Sequence, residues 1–184
     1  MSEPNSLYVK IKIKKENLQQ FFQQKPSAPV IDDNWRTWWT SREMYSKQEL
    51  QHLPVYRTQT NRQIIDEFLG YRDMGTFEGY DAHSEYWTFI SVFFSENYGE
   101  ILPMLALLKD LATYQDEGDV GIALIYDHQW GDEMIMAYME FINQKGLLKS
   151  YTKTKEVDEN VLYLANQEIS QAVEKFNKQL GERE

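Results

Sequence analysis

Two short stretches of this sequence concentrate side chains that can bind a metal ion or move protons. Asp81, His83 and Glu85 alternate along the chain, so they would share one face if this stretch were extended. The second stretch contains Asp127, His128, Asp132 and Glu133. Either stretch could hold a metal ion, with Asp81, His83, Glu85 and His128 as the weak metal candidates. We interpret both stretches as polar turns beside strands, so the sequence predicts no metal site.

The sequence has no motif for cysteine chemistry, for a phosphate-binding loop or for a nucleophilic serine. The chain has no cysteine, which excludes a thiol nucleophile, a thiolate metal site and a disulfide framework. Gly70, Gly75 and Gly79 do not have the spacing of a phosphate-binding loop. The Gly-x-Ser-x-Gly pattern of a nucleophilic serine is also missing. The sequence therefore predicts no cofactor.

The charge of the chain is concentrated in its middle third. The net charge is −10, but residues 63–143 carry sixteen acidic residues against two basic ones, Arg72 and Lys109. Residues 1–62 have an excess of basic residues, and residues 144–184 are balanced. The central block must therefore face solvent, pair with the basic N-terminal part or meet a basic partner. Nucleic acid is an unsuitable partner for it, because phosphate contacts require lysine and arginine.

We therefore predict an acidic binding protein that neutralises a basic protein partner, as an inhibitor, an immunity protein or an antitoxin would. Aromatic residues lie among the carboxylates, so aromatic anchors could supply affinity while the carboxylates steer the encounter. The residues expected to contact the partner are Asp73, Glu78, Asp81, Glu85, Asp116, Glu117, Asp119, Asp127, Trp130, Asp132 and Glu133.

Two alternative functions come from other features. Trp35, Trp38 and Trp39 are expected to cover the core, but as an alternative they could close over a small molecule in a regulatory domain. A metal-dependent hydrolase could be built on His83 or His128. We expect a binding protein rather than an enzyme. The N-terminus lacks a leader pattern, and no apolar run reaches the roughly 20 residues of a membrane span, so we expect a cytoplasmic protein without membrane contact.

Apolar periodicity places the secondary structure. Residues 7–14 alternate as a half-buried strand whose even-numbered face, including Tyr8 and Lys10, is expected to be solvated. Asn61 is expected to cap a helix that ends at Gly70. Residues 134–142 are interpreted as a strand rather than a helix, because a hairpin turn follows them. The remaining elements are helices over 16–24, 98–114 and 161–180 and strands over 86–94, 120–126 and 147–148.

This order predicts an α+β fold with a mainly antiparallel sheet and helices on one face. The most economical topology is a ferredoxin-like split βαβ plan with a C-terminal helix. Residues 30–62 would be an irregular or helical insertion rich in tryptophan, and residues 152–160 a polar linker to the last helix. The whole chain, residues 1–184, is expected to form a single domain.

Overall fold

The computed structural model of this chain describes residues 4–183. Within them the chain forms six strands and five α-helices, so the predicted α+β class is confirmed. The strands are β1 (Ser6–Lys12), β2 (Thr76–Asp81), β3 (Tyr86–Ser91), β4 (Gly121–Tyr126), β5 (Ile135–Ile142) and β6 (Lys145–Lys149). The helices are α1 (Lys15–Gln23), α2 (Asp33–Thr40), α3 (Asn61–Gly70), α4 (Tyr98–Ala112) and α5 (Glu159–Gly181).

The strands form one sheet in the order β2-β3-β1-β4-β5-β6, and every neighbouring pair is antiparallel. The predicted antiparallel sheet is therefore confirmed, as is the strand interpretation of residues 134–142. β5 and β6 are joined by a two-residue turn in which Asn143 has φ 52° and Gln144 φ 59°. This left-handed backbone matches the twist of the two strands.

Four helices cover one face of the sheet. Apolar residues of α1, α2, α3 and α4 form a single core with the odd-numbered side chains of β1. Trp35, Trp38 and Trp39 are buried in that core. Trp87 and Phe89 of β3 stack with their ring centres 5.5 Å apart beneath the helices. The tryptophans of α2 are therefore part of the core that holds the helices on the sheet.

The fifth helix covers the opposite face, so the prediction that helices lie on one face is wrong for α5. Tyr8 is 0% exposed, and it belongs to a second core with Leu124 and Ile169. Lys10 forms an ion pair of 2.8 Å with Glu168 of α5. The even-numbered face of β1 is covered because its tyrosine and lysine have apolar bodies and polar tips that bond to the helix.

The predicted cap of α3 is also wrong by one residue. The Thr60 hydroxyl accepts from the backbone amide of Gln63 at 3.2 Å, so Thr60 is the N-cap. Asn61 is buried, and its side-chain amide donates to the Phe21 carbonyl at 2.9 Å. The asparagine therefore joins α3 to α1, a tertiary role that a local capping pattern does not reveal.

The antiparallel sheet has two ends that carry different loops. We call the end where β1 stops the lower end; it carries the loops 82–85, 113–120 and 143–144. The end where β1 starts is the upper end, with the loops 92–97 and 127–134. Strands of about six residues separate the two ends by roughly 20 Å.

Candidate functional site

The residues predicted to contact a partner do not form one surface. Asp81, Glu85, Asp116, Glu117 and Asp119 lie at the lower end of the sheet. Asp73, Asp127, Trp130, Asp132 and Glu133 lie at the upper end. Glu78 lies between them, within β2. Each end therefore has to be considered as a separate surface.

Glu78 is occupied by contacts within the fold. Its carboxylate accepts from both terminal nitrogens of Arg62, at 2.7 and 2.6 Å, and from the Trp87 indole at 3.0 Å. Arg62 also bonds to Asp66 and lies over the Phe22 ring, 4.7 Å from its centre. A two-bond ion pair of this kind fixes α3 against β2. It leaves little charge on Glu78 for a partner.

The lower end carries an internal ion pair. Lys14 Nζ lies 2.8 Å from Asp116 Oδ2. The hydrogen bond to Asp116, with the nearby charges of Glu85 and Asp119, raises the pKa of Lys14. The same hydrogen bond lowers the pKa of Asp116. Carboxylates from two loops thus gather around one lysine, which offsets part of their charge.

The turn at residues 82–85 changes the geometry of the first metal candidate. Asp81 Oδ1 accepts from the backbone amides of His83 and Ser84, at 2.9 and 3.4 Å, and these bonds lower the pKa of Asp81. Glu85 has φ 61°, in the left-handed region. The segment is a turn, so Asp81, His83 and Glu85 do not share the face that an extended strand would give them.

His128 lies on the α5 side of the sheet. Its Nε2 is 3.3 Å from the Asn166 carbonyl and 3.3 Å from Ser170 Oγ, while its Nδ1 is buried without a partner within residues 4–183. Burial lowers the pKa of His128, which favours the neutral ring over the charged one. The Asn166 carbonyl can only accept, so it forms a hydrogen bond with the tautomer that is protonated at Nε2. In that tautomer Nε2 has no lone pair with which to activate Ser170. Across the described part of the chain, no three His, Asp or Glu side chains are placed to hold a metal ion.

At the upper end, the loop after β4 is held by side-chain bonds to its own backbone. The Asp127 carboxylate accepts from the backbone amides of Gln129 and Trp130, at 3.0 and 2.9 Å. It also accepts from the amide of Asp132 at 3.0 Å. Asp132 in turn accepts from the amide of Met134 at 3.1 Å. The loop therefore displays Trp130, whose side chain is 62% exposed, on an ordered turn.

A cleft of about 450 Å³ lies next to this loop, and we call it the upper cleft. Its apolar walls come from Met44, Tyr98, Met134 and Met136. Two carboxylates, Glu43 and Glu96, also line it. Neither forms an ion pair within residues 4–183. The combination of flexible thioethers and free carboxylates suits a side chain with an apolar stem and a positive tip.

Arg42 lies in the wall of the upper cleft, but its hydrogen bonds are made within the fold. The residue is 4% exposed. Its guanidinium donates to the carbonyls of Ile135 and Met136, at 2.9 and 3.1 Å, and to the Tyr151 carbonyl. These bonds join the segment after α2 to the start of β5. Arg42 therefore shapes the cleft without neutralising its carboxylates by direct contact.

A second cleft, of about 460 Å³, surrounds Lys109 near the lower end. Lys109 Nζ donates to Asn34 Oδ1 at 2.7 Å and to the Gly146 carbonyl at 2.9 Å, and it lies 5.0 Å from the centre of the Trp35 ring. Burial lowers the pKa of Lys109 to about 8 and raises the pKa of the adjacent Asp110. Sequence reasoning missed both residues, although a lysine within an apolar helical pattern is a signal of this kind.

Comparison of the chain with protein-family models, curated proteins and solved structures gives no match. None of the helices in residues 4–183 is both long and apolar enough to cross a membrane. The geometry of the upper end and of the Lys109 cleft is therefore what bears on function.

Proposed function

We propose that this protein binds and neutralises a basic protein through the upper end of its sheet. The contact surface consists of Glu43, Glu96, Trp130, Glu133 and Met134, and we call it the upper surface. It combines an exposed tryptophan on an ordered turn with a methionine-lined cleft and free carboxylates. Such anchors supply affinity, while the acidic groups around them accelerate and orient the encounter with a positive surface.

One observation carries this proposal: the carboxylates at the upper end are not paired with lysine or arginine. None of Glu43, Glu96 and Glu133 forms an ion pair within the described residues. At the lower end, in contrast, Lys14 pairs with Asp116 and lies near the charges of Glu85 and Asp119, and Glu78 in β2 is paired with Arg62. Negative charge without an internal counterpart is available to a cationic partner.

Neutralisation is the role that suits such a surface. A protein that acts on anionic substrates needs an accessible positive surface, and covering that surface blocks its action. An immunity protein, an antitoxin or another inhibitor works in this way. We also propose that the encounter takes place in the cytoplasm, a compartment that suits a cysteine-free chain.

The binding proposal is tested with the basic protein that affinity purification recovers. The combined variant Glu43→Gln, Glu96→Gln and Glu133→Gln is compared with wild type by stopped-flow association at low and high salt. We expect a slower association rate and a weaker dependence of that rate on salt, because the steering charges are gone. Trp130→Ala should mainly accelerate dissociation, because it removes an anchor.

The matched control changes the same number of charges at the lower end, with Glu16→Gln, Glu85→Gln and Glu117→Gln. Its net charge equals that of the upper-surface variant, so a difference between the two reports position rather than total charge. We expect the control to retain near-wild-type association. Equal effects of both variants, or association that does not change with salt, would contradict binding through the upper surface.

We further propose that β1 to β4, with α1 and α4, form a ferredoxin-like split βαβ unit. The strand order β2-β3-β1-β4, the antiparallel pairing and the packing of both helices on one face support this description. In this view residues 30–62 are a tryptophan-rich insertion between α1 and α3. β5, β6 and α5 would then be additions to the unit, and residues 152–160 the connection to α5.

A further inference from the structure

We propose that the cleft around Lys109 binds a small carbonyl compound and that the Lys109 amine forms an imine with it. This site is distinct from the upper surface. The cleft is bounded by residues 27–32, by α4 and by the turn at 144–147. Its volume of about 460 Å³ lies within the range of small-molecule sites.

The hydrogen bonds of Lys109 suit a neutral amine. A neutral amine has two N–H groups and one lone pair. Nζ has two acceptors, Asn34 Oδ1 at 2.7 Å and the Gly146 carbonyl at 2.9 Å. Both acceptors stay satisfied when the proton leaves, so deprotonation breaks neither hydrogen bond. The lone pair then occupies the third position of Nζ, for which residues 4–183 provide no hydrogen-bond acceptor.

Lys109 is half-buried, which makes its neutral amine more common near neutral pH than that of an exposed lysine. Burial lowers the pKa of Lys109 to about 8, so roughly a quarter of the molecules carry the free amine at pH 7.5. An ordinary exposed lysine carries about one free amine in a thousand at that pH. Lysines made reactive by desolvation are the ones that form imines with carbonyl substrates.

The reaction needs no oxidant and no metal ion. The Nζ lone pair attacks the carbonyl carbon, a C–N bond forms, and the carbonyl oxygen takes up the proton that nitrogen releases. The C–O bond of this carbinolamine then breaks, water leaves, and the nitrogen lone pair forms the C=N bond. Asp110 lines the same cleft, and burial raises the pKa of its carboxyl group. Asp110 is therefore suited to protonate the carbinolamine hydroxyl, which leaves as water, while nitrogen keeps its remaining proton and the product is a protonated imine. Asp32 also lines the cleft, and its charge opposes the lowering of the Lys109 pKa.

The proposal is tested with propanal as the carbonyl probe and cyanoborohydride to trap the imine. Peptide mapping by mass spectrometry follows the rate of modification at each lysine of the folded protein at pH 7.5. We expect Lys109 to react about 10-fold faster than exposed lysines. Its free-amine fraction exceeds theirs by more than about 10-fold, but restricted access to the cleft reduces the gain in rate.

Lys145 provides an internal control, because it lines the same cleft but is exposed at the start of β6. The modification rate of Lys109 should rise through about pH 8, where half of its amine is deprotonated, and level off above about pH 9. Lys178→Arg, at an exposed position of α5 on the other face of the sheet, should leave the fast modification in place. Lys109→Arg should remove it while the circular dichroism spectrum stays native. Lys109 reacting no faster than Lys145 would overturn the proposal and leave Lys109 as a structural clamp.

Discussion

Arg42 shows how a single residue can hold together parts of the chain that are far apart in sequence. Its guanidinium is buried, has no carboxylate partner among residues 4–183, and is held by carbonyl oxygens of Ile135, Met136 and Tyr151. Burying a charge is costly unless every donor finds an acceptor. Here the acceptors are carbonyls of β5 and of the segment after β6, so the arginine fixes the wall of the upper cleft.

Replacing Arg42 should therefore be costly. We expect Arg42→Met to lower the free energy of unfolding by about 3 kcal/mol, because the variant leaves buried carbonyl groups without donors. Urea unfolding followed by circular dichroism measures the change. Arg36→Met is the matched control: Arg36 is exposed and pairs with Asp33 one turn away, a contact worth less than about 0.5 kcal/mol. Similar losses in the two variants would contradict a structural role for Arg42.

The burial of His128 should make the stability of the protein depend on pH. Burial lowers its pKa in the folded protein, and unfolding returns it to its ordinary value near 6.5. Below about pH 6.5 the unfolded state therefore binds more protons, and the free energy of unfolding falls with falling pH. We expect His128→Gln to reduce the loss of stability between pH 7.5 and 5.5, measured by urea unfolding. His52→Gln is the control, because His52 is exposed and the substitution removes the same kind of side chain from the surface. An unchanged loss in His128→Gln would contradict this account.

At the scale of elements, the two edges of the sheet differ. At the β6 edge, the Asn34 side chain donates to the Leu148 carbonyl at 3.0 Å and accepts from the Leu148 amide at 2.9 Å. The asparagine thus takes the place of a neighbouring strand, and Lys109 orients it from the other side. No strand lies beyond β2 within residues 4–183. An uncovered edge is a place where strands from other chains can add.

Alanine substitutions at two glycines within strands are expected to have different effects on stability. A Cβ at Gly121 would lie 2.7 Å from Ile11 Cα and from the Lys10 carbonyl, so β1 and β4 could not keep their spacing. A Cβ at Gly79 meets nothing within 4 Å. We expect Gly121→Ala to lower the free energy of unfolding by about 2 kcal/mol or more. Gly79→Ala should be neutral or add up to about 1 kcal/mol. Denaturant unfolding measures the free energy of unfolding of both variants. Equal changes in the two would contradict the close approach of β1 and β4 at Gly121.

Periodicity predicted most of the elements, because apolar spacing reports which face of an element is covered. It located β1, α1, α4, β4, β5 and α5 to within a few residues. It failed where polar side chains are covered by a distant element, as at Tyr8 and Lys10 under α5. It did not predict the contacts of Asn34 and Lys109, because these contacts include backbone groups of β6 that lie far away in sequence.

At the scale of the whole molecule, the antiparallel sheet explains why an acidic block in sequence is not an acidic surface in space. Successive connections alternate between the two ends, so the loops 82–85 and 113–120 lie at the lower end and the loop 127–134 at the upper end. Carboxylates that are close in sequence are thereby separated by roughly 20 Å. Only the topology shows which of them act together, and composition alone cannot.

The packing of α5 makes a prediction about the molecule as a whole. Ile169 is buried against the second core, whereas Tyr163 on the same helix is exposed. We expect Ile169→Ala to lower the free energy of unfolding by about 3 kcal/mol through the cavity it leaves. Tyr163→Ala should change it by less than about 0.5 kcal/mol. Urea unfolding followed by both fluorescence and circular dichroism measures the changes and tests whether α5 unfolds with the sheet.

If the two probes report one transition, α5 and the sheet form one cooperative unit, as the burial of Tyr8 and Leu124 beneath the helix requires. A separate early transition in Ile169→Ala would mean that the sheet keeps its structure with one face uncovered. We do not expect that outcome, because a sheet face with buried tyrosines and leucines would expose a large apolar patch if its helix unfolded. The four helices on the other face cannot compensate, since they contact only the odd-numbered side chains of β1.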